Sequence, residues 1–458
     1  MKKLWIVIAV IAVALAGVII GNKQRKAAVK TEQDGKVVVV INAGPKETDK
    51  VAVERLKTNI ARFNKEYPNI EIRWTDRPYS PDSFATSMAG GTAEDVIDLW
   101  ATEGYVAERG YALDLTEFLD DWKYKEQLNH DVMKPFIREG KIYGLPKDGY
   151  LMGLLYNKAL FKKAGLVDAN GNPDPPDTWE EFVKCAEKLT NRKAGIAGFG
   201  IMGNGAEAGW GMLNWVWQAG GEFQKEADGK WKAVFDSPEA ATAYTFVQSL
   251  KWEHDVLQSN LMLTSQDLQA RFSAGQIGML MAAQDRVTQL VNQYGMELSE
   301  IGVAMLPAGP AGRANQMGGA FYIINPKSSP QVQEAAFKWI AWNLLRSVTP
   351  ETVREKAEDL RKQKQIGNLT ALPLFVGEVD QKMRETAVEY DDVLVDYHGV
   401  WQEAAKYLHP EPSFFCQQLY SEYLAPVMQE VLTNRNAKAK DLLHKAAVGF
   451  QTRFLDTM

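Results

Sequence analysis

Residues 36–44 read Lys-Val-Val-Val-Val-Ile-Asn-Ala-Gly, a run of β-branched residues closed by Asn42, Ala43, Gly44 and Pro45. A continuous apolar run stopped by turn residues marks a strand buried on both faces. Across residues 50–67, Val51, Val53, Leu56, Ile60 and Phe63 recur near helical spacing, Pro68-Asn69 ends the run, and Ile-Glu-Ile-Arg-Trp at 70–74 gives a second strand. Strand, helix and strand joined by a crossover predict a mostly parallel sheet covered on both faces, an α/β fold. At about 150 residues per domain, 458 residues imply two or three such units.

The pattern continues. Residues 95–101 read as a third strand, 106–119 as a helix, and 141–146 and 150–157 as a pair of short strands. After the Pro-rich loop 168–178, Thr178 is placed to cap a helix, with Glu180 and Glu181 in its first turn. Strand signals return at 301–307 and 320–325. From Gln331 onward the pattern is helical, broken at Pro373, Pro410 and Pro412.

At the N-terminus, Lys2 and Lys3 precede an apolar run from Leu4 to Ile20, closed by Gly21, Asn22, Lys23, Arg25 and Lys26. This is an export signal, a membrane anchor or both, and predicts that the rest works outside the cytoplasmic membrane. Ala14-Leu15-Ala16 has the cleavage pattern, but Val18, Ile19 and Ile20 continue past it. The first 35 residues hold six basic and two acidic groups, leaving 46 basic against 56 acidic groups, a charge of −10. That balance argues against a nucleic-acid partner, because no basic footprint remains for phosphates. Cys185 and Cys416 are the only cysteines, which excludes Cys-rich zinc sites and leaves one disulfide open.

Catalytic signatures are missing. Gly-Phe-Gly-Ile-Met-Gly at 198–203, with Glu222 beyond it, matches a dinucleotide-binding pattern. That site needs a strand before the first glycine and a helix at the loop, whereas Asn204-Gly205 reads as more loop. The five histidines, His130, His254, His398, His409 and His444, show no metal-ligand spacing. Asp120-Asp121, Glu180-Glu181 and Asp391-Asp392 are adjacent pairs whose side chains diverge, as on a solvated face. No metal or cofactor is expected. Thirteen Trp, 16 Tyr and 18 Phe can nonetheless offer flat faces to a ligand as well as fill a core, and Trp215, Trp217, Trp339 and Trp342 lie in apolar faces that read as core.

One ordered set of segments goes further. Tyr156-Asn157-Lys158 precedes Pro176-Asp177-Thr178-Trp179-Glu180-Glu181. Then come Gly220-Gly221, Phe272 with Gly275, Gly278-Met279, Gly318-Gly319 and Asn325-Pro326-Lys327 before an Ala-Ala-Phe-Lys-Trp helix. In order and spacing this resembles the bacterial extracellular solute-binding proteins of family one, the maltose-binding-protein-like partners of ABC importers, over roughly residues 36–450. The resemblance implies a two-lobed periplasmic-binding-protein-like fold of the class II type, with an interlobe cleft and a hinge. It implies lobe 1 from 36–148 plus 307–347 and lobe 2 from 149–306 plus 348–458, after the export segment 1–35. The crossings would lie near residues 147–150 and 303–307.

It also implies an activity: capture of a sugar or oligosaccharide by a monomer and delivery to an ABC permease, with no enzymatic step. An exported carbohydrate-active enzyme and a membrane-tethered sugar sensor or adhesin are the alternatives. Matched positions give candidate ligand contacts. Asn42 and Lys46 lie in the loop after the first strand, Trp100 and Glu103 where relatives cover a sugar face and accept from its hydroxyls, and Tyr150 at a crossing. Trp210 lies in a cleft loop, Gly319 before a strand, and Phe414 and Phe415 where relatives place a stacking aromatic. Relatives carry an aromatic after the Gly-x-x-Met segment, but here Asp285 and Arg286 follow. The ligand is then held there through polar groups, with Arg286 suited to an acidic sugar, or stacking comes from Trp401 or Tyr322.

Overall fold

The computed structural model describes residues 32–33, 35–369 and 372–458. The apolar run 4–20, expected to direct export or anchoring, lies outside them. Among the described residues no helix is long and apolar enough to cross a membrane.

The opening unit forms as its pattern requires. Strand β1 (Lys36–Ile41) buries Val38, Val39 and Val40. Helix α1 (Lys50–Glu66) starts where the Asp49 side chain accepts from the Ala52 amide, and β2 (Ile70–Trp74) lies parallel to β1, Val37 facing Ile70. Strand β3 is Val96–Trp100. The helix expected at 106–119 does not form. A 3-10 turn, Ala101–Val106, and a short helix, Thr116–Asp120, stand in its place. Gly110 between them takes a positive φ of 65°, which breaks any continuous helix there.

The two short strands expected at 141–146 and 150–157 are largely one. Strand β4 runs thirteen residues, Leu145–Asn157. Beyond it come α2 (Trp179–Leu189), β5 (Ala197–Gly200), α3 (Gly205–Trp210) and α4 (Leu213–Gln218). Next are α5 (Ser265–Ser273), β6 (Ile277–Ala283), α6 (Arg286–Asn292), β7 (Ile301–Ala304), β8 (Asn315–Ile324) and α7 (Pro330–Ser347). A last short strand, β9 (Leu408–Pro410), precedes the C-terminal helices.

Among the described residues one ten-stranded sheet has the order β1, β3, β8, β4, β6, β5, with β2 on β1, β7 on β4, β9 on β8 and a two-residue strand, Glu32–Gln33, antiparallel on the outer edge of β1. It is mixed, not mostly parallel. β8 lies antiparallel between β3 and β4, and β6 and β7 lie antiparallel to β4.

β4 exchanges partners midway. Leu145–Leu151 pairs with β8, and Met152–Asn157 with β6 and β7. At the exchange, amide side chains replace ladder bonds. Asn315 both donates to and accepts from the Met152 backbone, and Gln284 accepts from Leu151 N and donates to Gly149 O. Buried backbone groups cannot be left unpaired without cost, which accounts for Asn and Gln in the core here. Gly319 sits opposite Gly149 with φ 150°, and a Cβ on it would lie 2.4 Å from Asp148 O.

Alternation along the strands divides the apolar side chains. Met279, Met281, Ala283, Met152 and Leu154 face one core, and Leu280, Ala282, Leu151 and Leu155 the other. Trp215, Trp217 and Trp339 are buried, and Trp342 half-buried, in these cores. Cys185 and Cys416 are both buried free thiols.

Thr178 caps α2 in a capping box, its side chain accepting from Glu181 N while the Glu181 carboxylate accepts from Thr178 N. Thr178→Ala should lower stability by about 1 kcal/mol, read as a shift in the urea midpoint at constant slope.

The glycines of residues 198–203 serve packing. A Cβ on Gly198 would lie 2.0 Å from Ala186 O in α2, and one on Gly203 2.1 Å from Leu261 O. Contrary to the sequence reading, a helix does begin at Gly205. It follows a loop whose Gly203 is pressed against Leu261, and Glu222 pairs instead with His409 at 2.9 Å.

Candidate ligand site

Where β4 leaves β8, the segment after β9 brings Glu411 into a buried position. Prolines at 410 and 412 keep this stretch out of helix, and it ends at Phe415, which adopts a left-handed φ of 50° before the chain turns into helix. Four donors converge on the carboxylate. Oε1 accepts from Tyr150 OH at 2.7 Å, Gln316 Nε2 at 2.7 Å and Trp210 Nε1 at 3.2 Å, and Oε2 from Tyr420 OH at 2.8 Å. Gln316 is itself held by Asn214, which accepts from its backbone N and donates to its Oε1.

Trp210 and Tyr420 also line a cavity of about 250 Å³. It is also lined by Leu280, Met281, Ala282 and Ala283 of β6 and by the polar residues Glu207, Ser265 and Arg286. Glu207 accepts from Ser265 N at 2.7 Å and Ser265 Oγ at 2.8 Å, at the start of α5. Arg286 opens α6, donating to Gln289 at 2.8 Å and lying 3.6 Å from Asp285 Oδ2. Asp285 Oδ1 is buried without a partner. A cavity lined by two aromatic rings, an apolar strand and a few polar groups suits a small ligand with both ring faces and hydroxyls.

A second cluster faces this one. Glu103, in the 3-10 turn after β3, is only 4% exposed; Tyr79 OH donates to its Oε2 at 2.5 Å and Thr102 Oγ1 to its Oε1 at 3.4 Å. Burial pushes its carboxyl up to about 7, against the opposing hydrogen bonds of Tyr79, Thr102 and Tyr105. Cys416 Sγ lies 4.0 Å from Glu103 Oε1, and burial together with the nearby Glu103 and Glu411 carboxylates holds its thiol well above the ordinary range. Trp100 is 39% exposed, its ring edge-on to Tyr79 with centroids 5.5 Å apart.

A smaller cavity of about 210 Å³ opens at the end of β1. Asn42 lines it, cross-linked to β3 by accepting from Asp98 N at 2.6 Å and donating to Asp98 O at 3.1 Å. Lys147 and Tyr322 line it too, Lys147 paired with Asp98 at 2.5 Å.

The residues singled out from sequence thus fall into separate groups. Tyr150 and Trp210 meet on Glu411, and Trp210 and Arg286 share the larger cavity. Asn42 belongs to the smaller one, and Lys46 is exposed beyond it. Gly319 acts through its backbone. Phe414 is buried between Tyr105 and Trp231, with centroids at 5.7 and 4.6 Å, and Phe415 packs on Phe454 at 5.1 Å. Trp401 is buried, its ring covering Gly153. Glu411, Gln316, Tyr420 and Glu207 escaped the sequence reading. The one signal for Glu411 was a lone acid between two prolines just before an aromatic pair.

Comparison with known proteins supplies the family. The model for bacterial extracellular solute-binding proteins matches residues 46–344. A putative binding protein of Brucella abortus (strain 2308) is 26% identical over 279 residues, 60% of this chain and 64% of that protein, so the match spans just under two thirds of its length. The multiple sugar-binding protein of Streptococcus mutans is 27% identical over 184 residues, 40% of each chain. Among solved structures, maltose-bound MalE3 of T. maritima matches with a TM-score of 0.64 and 24% identity over 91% of this chain and 99% of that one. An ABC transporter solute-binding protein from Thermotoga lettingae bound with α-D-tagatose matches with a TM-score of 0.66 and 22% identity, again over 91% and 99%. These similarities establish a two-lobed solute-binding fold. With its family model covering more than half of the sequence, the chain belongs to the bacterial extracellular solute-binding proteins.

Proposed function

We propose that this protein captures a sugar or oligosaccharide outside the cytoplasmic membrane and delivers it to an ABC permease, without chemical turnover. The observation that carries this reading is the cavity of about 250 Å³ beside the partner exchange of β4, lined by Trp210, Glu207 and Arg286. Pyranose rings present C–H patches that pack on an aromatic face, while their hydroxyls need charged or amide partners. The larger cavity supplies both. Trp100, exposed and braced by Tyr79, is the second surface for stacking. A relative that is a multiple sugar-binding protein supports the ligand class. Family membership and the apolar run 4–20 support the location.

In this reading β4 and β8 carry the chain between the two lobes. In the same reading the second crossing follows Ala314, which the bonds of residues 308–314 to Asp177 and Gln218 support: Ala308 N to Asp177 O at 2.8 Å and Ala311 N to Gln218 O at 2.9 Å. Glu103 of lobe 1 then meets Cys416 of lobe 2, with Sγ 4.0 Å from Oε1.

A thermal-shift screen over mono- and oligosaccharides, polyols and glycerol phosphodiesters should give saturable stabilisation with a sugar, followed by calorimetric titration. Trp210→Ala and Trp100→Ala should each weaken that binding about tenfold or more, the worth of one stacked ring. Stabilisation by no sugar, or unchanged affinity in both folded variants, overturns the reading.

A further inference from the structure

One buried carboxylate touches both strands that pass between the halves of the molecule and both aromatic residues of the larger cavity. Tyr150 lies on β4 and Gln316 on β8; Trp210 and Tyr420 line the cavity. All four donate to Glu411. A carboxylate offers about four lone-pair sites, so this one has none left for a ligand, and it must act through its donors.

We propose that Glu411 is a positioning residue: it sets the Trp210 ring and couples its position to the crossing strands, so that a ligand on that ring and a rotation at the strands act on one another. The proposal rests on reading the cavity as the ligand site. Three features favour coupling over mere filling of space. Trp210 is half-buried, packs against both cores, and has its one polar atom fixed on Glu411, so the carboxylate sets the direction of the indole N–H edge. α3 approaches the Tyr420 turn so closely that a Cβ on Gly209 would lie 2.3 Å from Tyr420 O, so the two cavity walls are packed backbone to backbone. Gln316, locked by Asn214 at both its backbone and its side chain, transmits any change in β8 directly. The path from strand to ring is two hydrogen bonds long, 2.7 Å from Gln316 to the carboxylate and 3.2 Å from the indole to the same oxygen.

The test needs no ligand, so it stands or falls apart from the sugar screen. The full chain is labelled with 5-fluorotryptophan, and the Trp210 signal is assigned in the 19F spectrum with Trp210→Phe. Glu411→Gln, which replaces one carboxylate oxygen by a donor, should shift or split the Trp210 signal and leave the core Trp179 and Trp215 signals in place. Gln316→Leu should move the Trp210 signal in the wild-type background and lose that effect in the Glu411→Gln background. A Trp210 signal indifferent to Glu411→Gln, or displaced equally by Gln316→Leu in both backgrounds, overturns the proposal. If Glu411→Gln does not fold, Gln316→Leu and Tyr420→Phe decide: a displaced Trp210 signal supports the coupling, and an unmoved one in both refutes it.

Discussion

Between pH 4.5 and 8 the protein is expected to lose stability relative to its Glu103→Gln variant, by about 3 kcal/mol in full. The carboxyl of Glu103 is lifted from 4.5 to about 7, chiefly by burial. Below pH 4.5 both the folded and the unfolded chain hold this proton and no penalty exists. As pH rises toward 7 the unfolded chain gains by ionising while the folded one does not, so stability falls. Above 7 both are ionised, and the loss levels off. Glutamine keeps an acceptor for Tyr79 and carries no charge, so it removes the titration alone. Urea unfolding of both proteins at half-unit pH steps checks this. The difference between them should grow from 4.5 to 7 and then stay constant; a difference that does not change with pH would mean that the carboxylate is well hydrated.

Gly319→Ala should cost about 3–5 kcal/mol, near the upper end for a single substitution. The added Cβ would stand 2.4 Å from a backbone oxygen, Asp148 O, and the φ of 150° is one that side chains with a Cβ rarely adopt. Neither obstacle can be relieved by turning a side chain, since both lie in the paired backbones of β4 and β8. The strands would have to part at the point where Asn315 and Gln284 complete the ladder. Gly399→Ala serves as the control. It sits in the helix His398–Ala404 with open space around its Cβ position, and there alanine should stabilise by about 0.5–1 kcal/mol. Thermal unfolding of the three proteins should therefore order them Gly319→Ala, wild type, Gly399→Ala. A Gly319→Ala midpoint equal to that of the wild type would refute the argument.

Local signals were legible wherever the chain answers only to its neighbours. The valine run gave β1, the apolar spacing gave α1, and Thr178 with Glu181 gave the capped start of α2, because each depends on residues a few positions apart. The order of motifs along the chain carried the family and with it the two-lobed fold. The apolar pattern divides β4 in two because Lys147-Asp148-Gly149 interrupts it. Lys147 and Asp148 are exposed, and Lys147 reaches across to Asp98 on β3. Glu411 was invisible for a different reason. Its partners stand 261, 201 and 95 positions away, with one only nine residues on, and no periodicity connects them. Phe414 shows the converse. An aromatic in a promising place is claimed by Tyr105 and Trp231, a competition that only tertiary structure decides.

β4 has a mechanical meaning beyond its pairing. Thirteen residues at about 3.3 Å each make a rod of roughly 43 Å, hydrogen-bonded to β8 over its first half and to β6 and β7 over its second. A rod clamped at both ends by ladders cannot be stretched or folded without tearing backbone bonds, but it can be wound or unwound about its own length. With the two lobes assigned as proposed, β4 joins them as a torsion bar, and its twist concentrates where one ladder hands over to the other, at Leu151 and Met152.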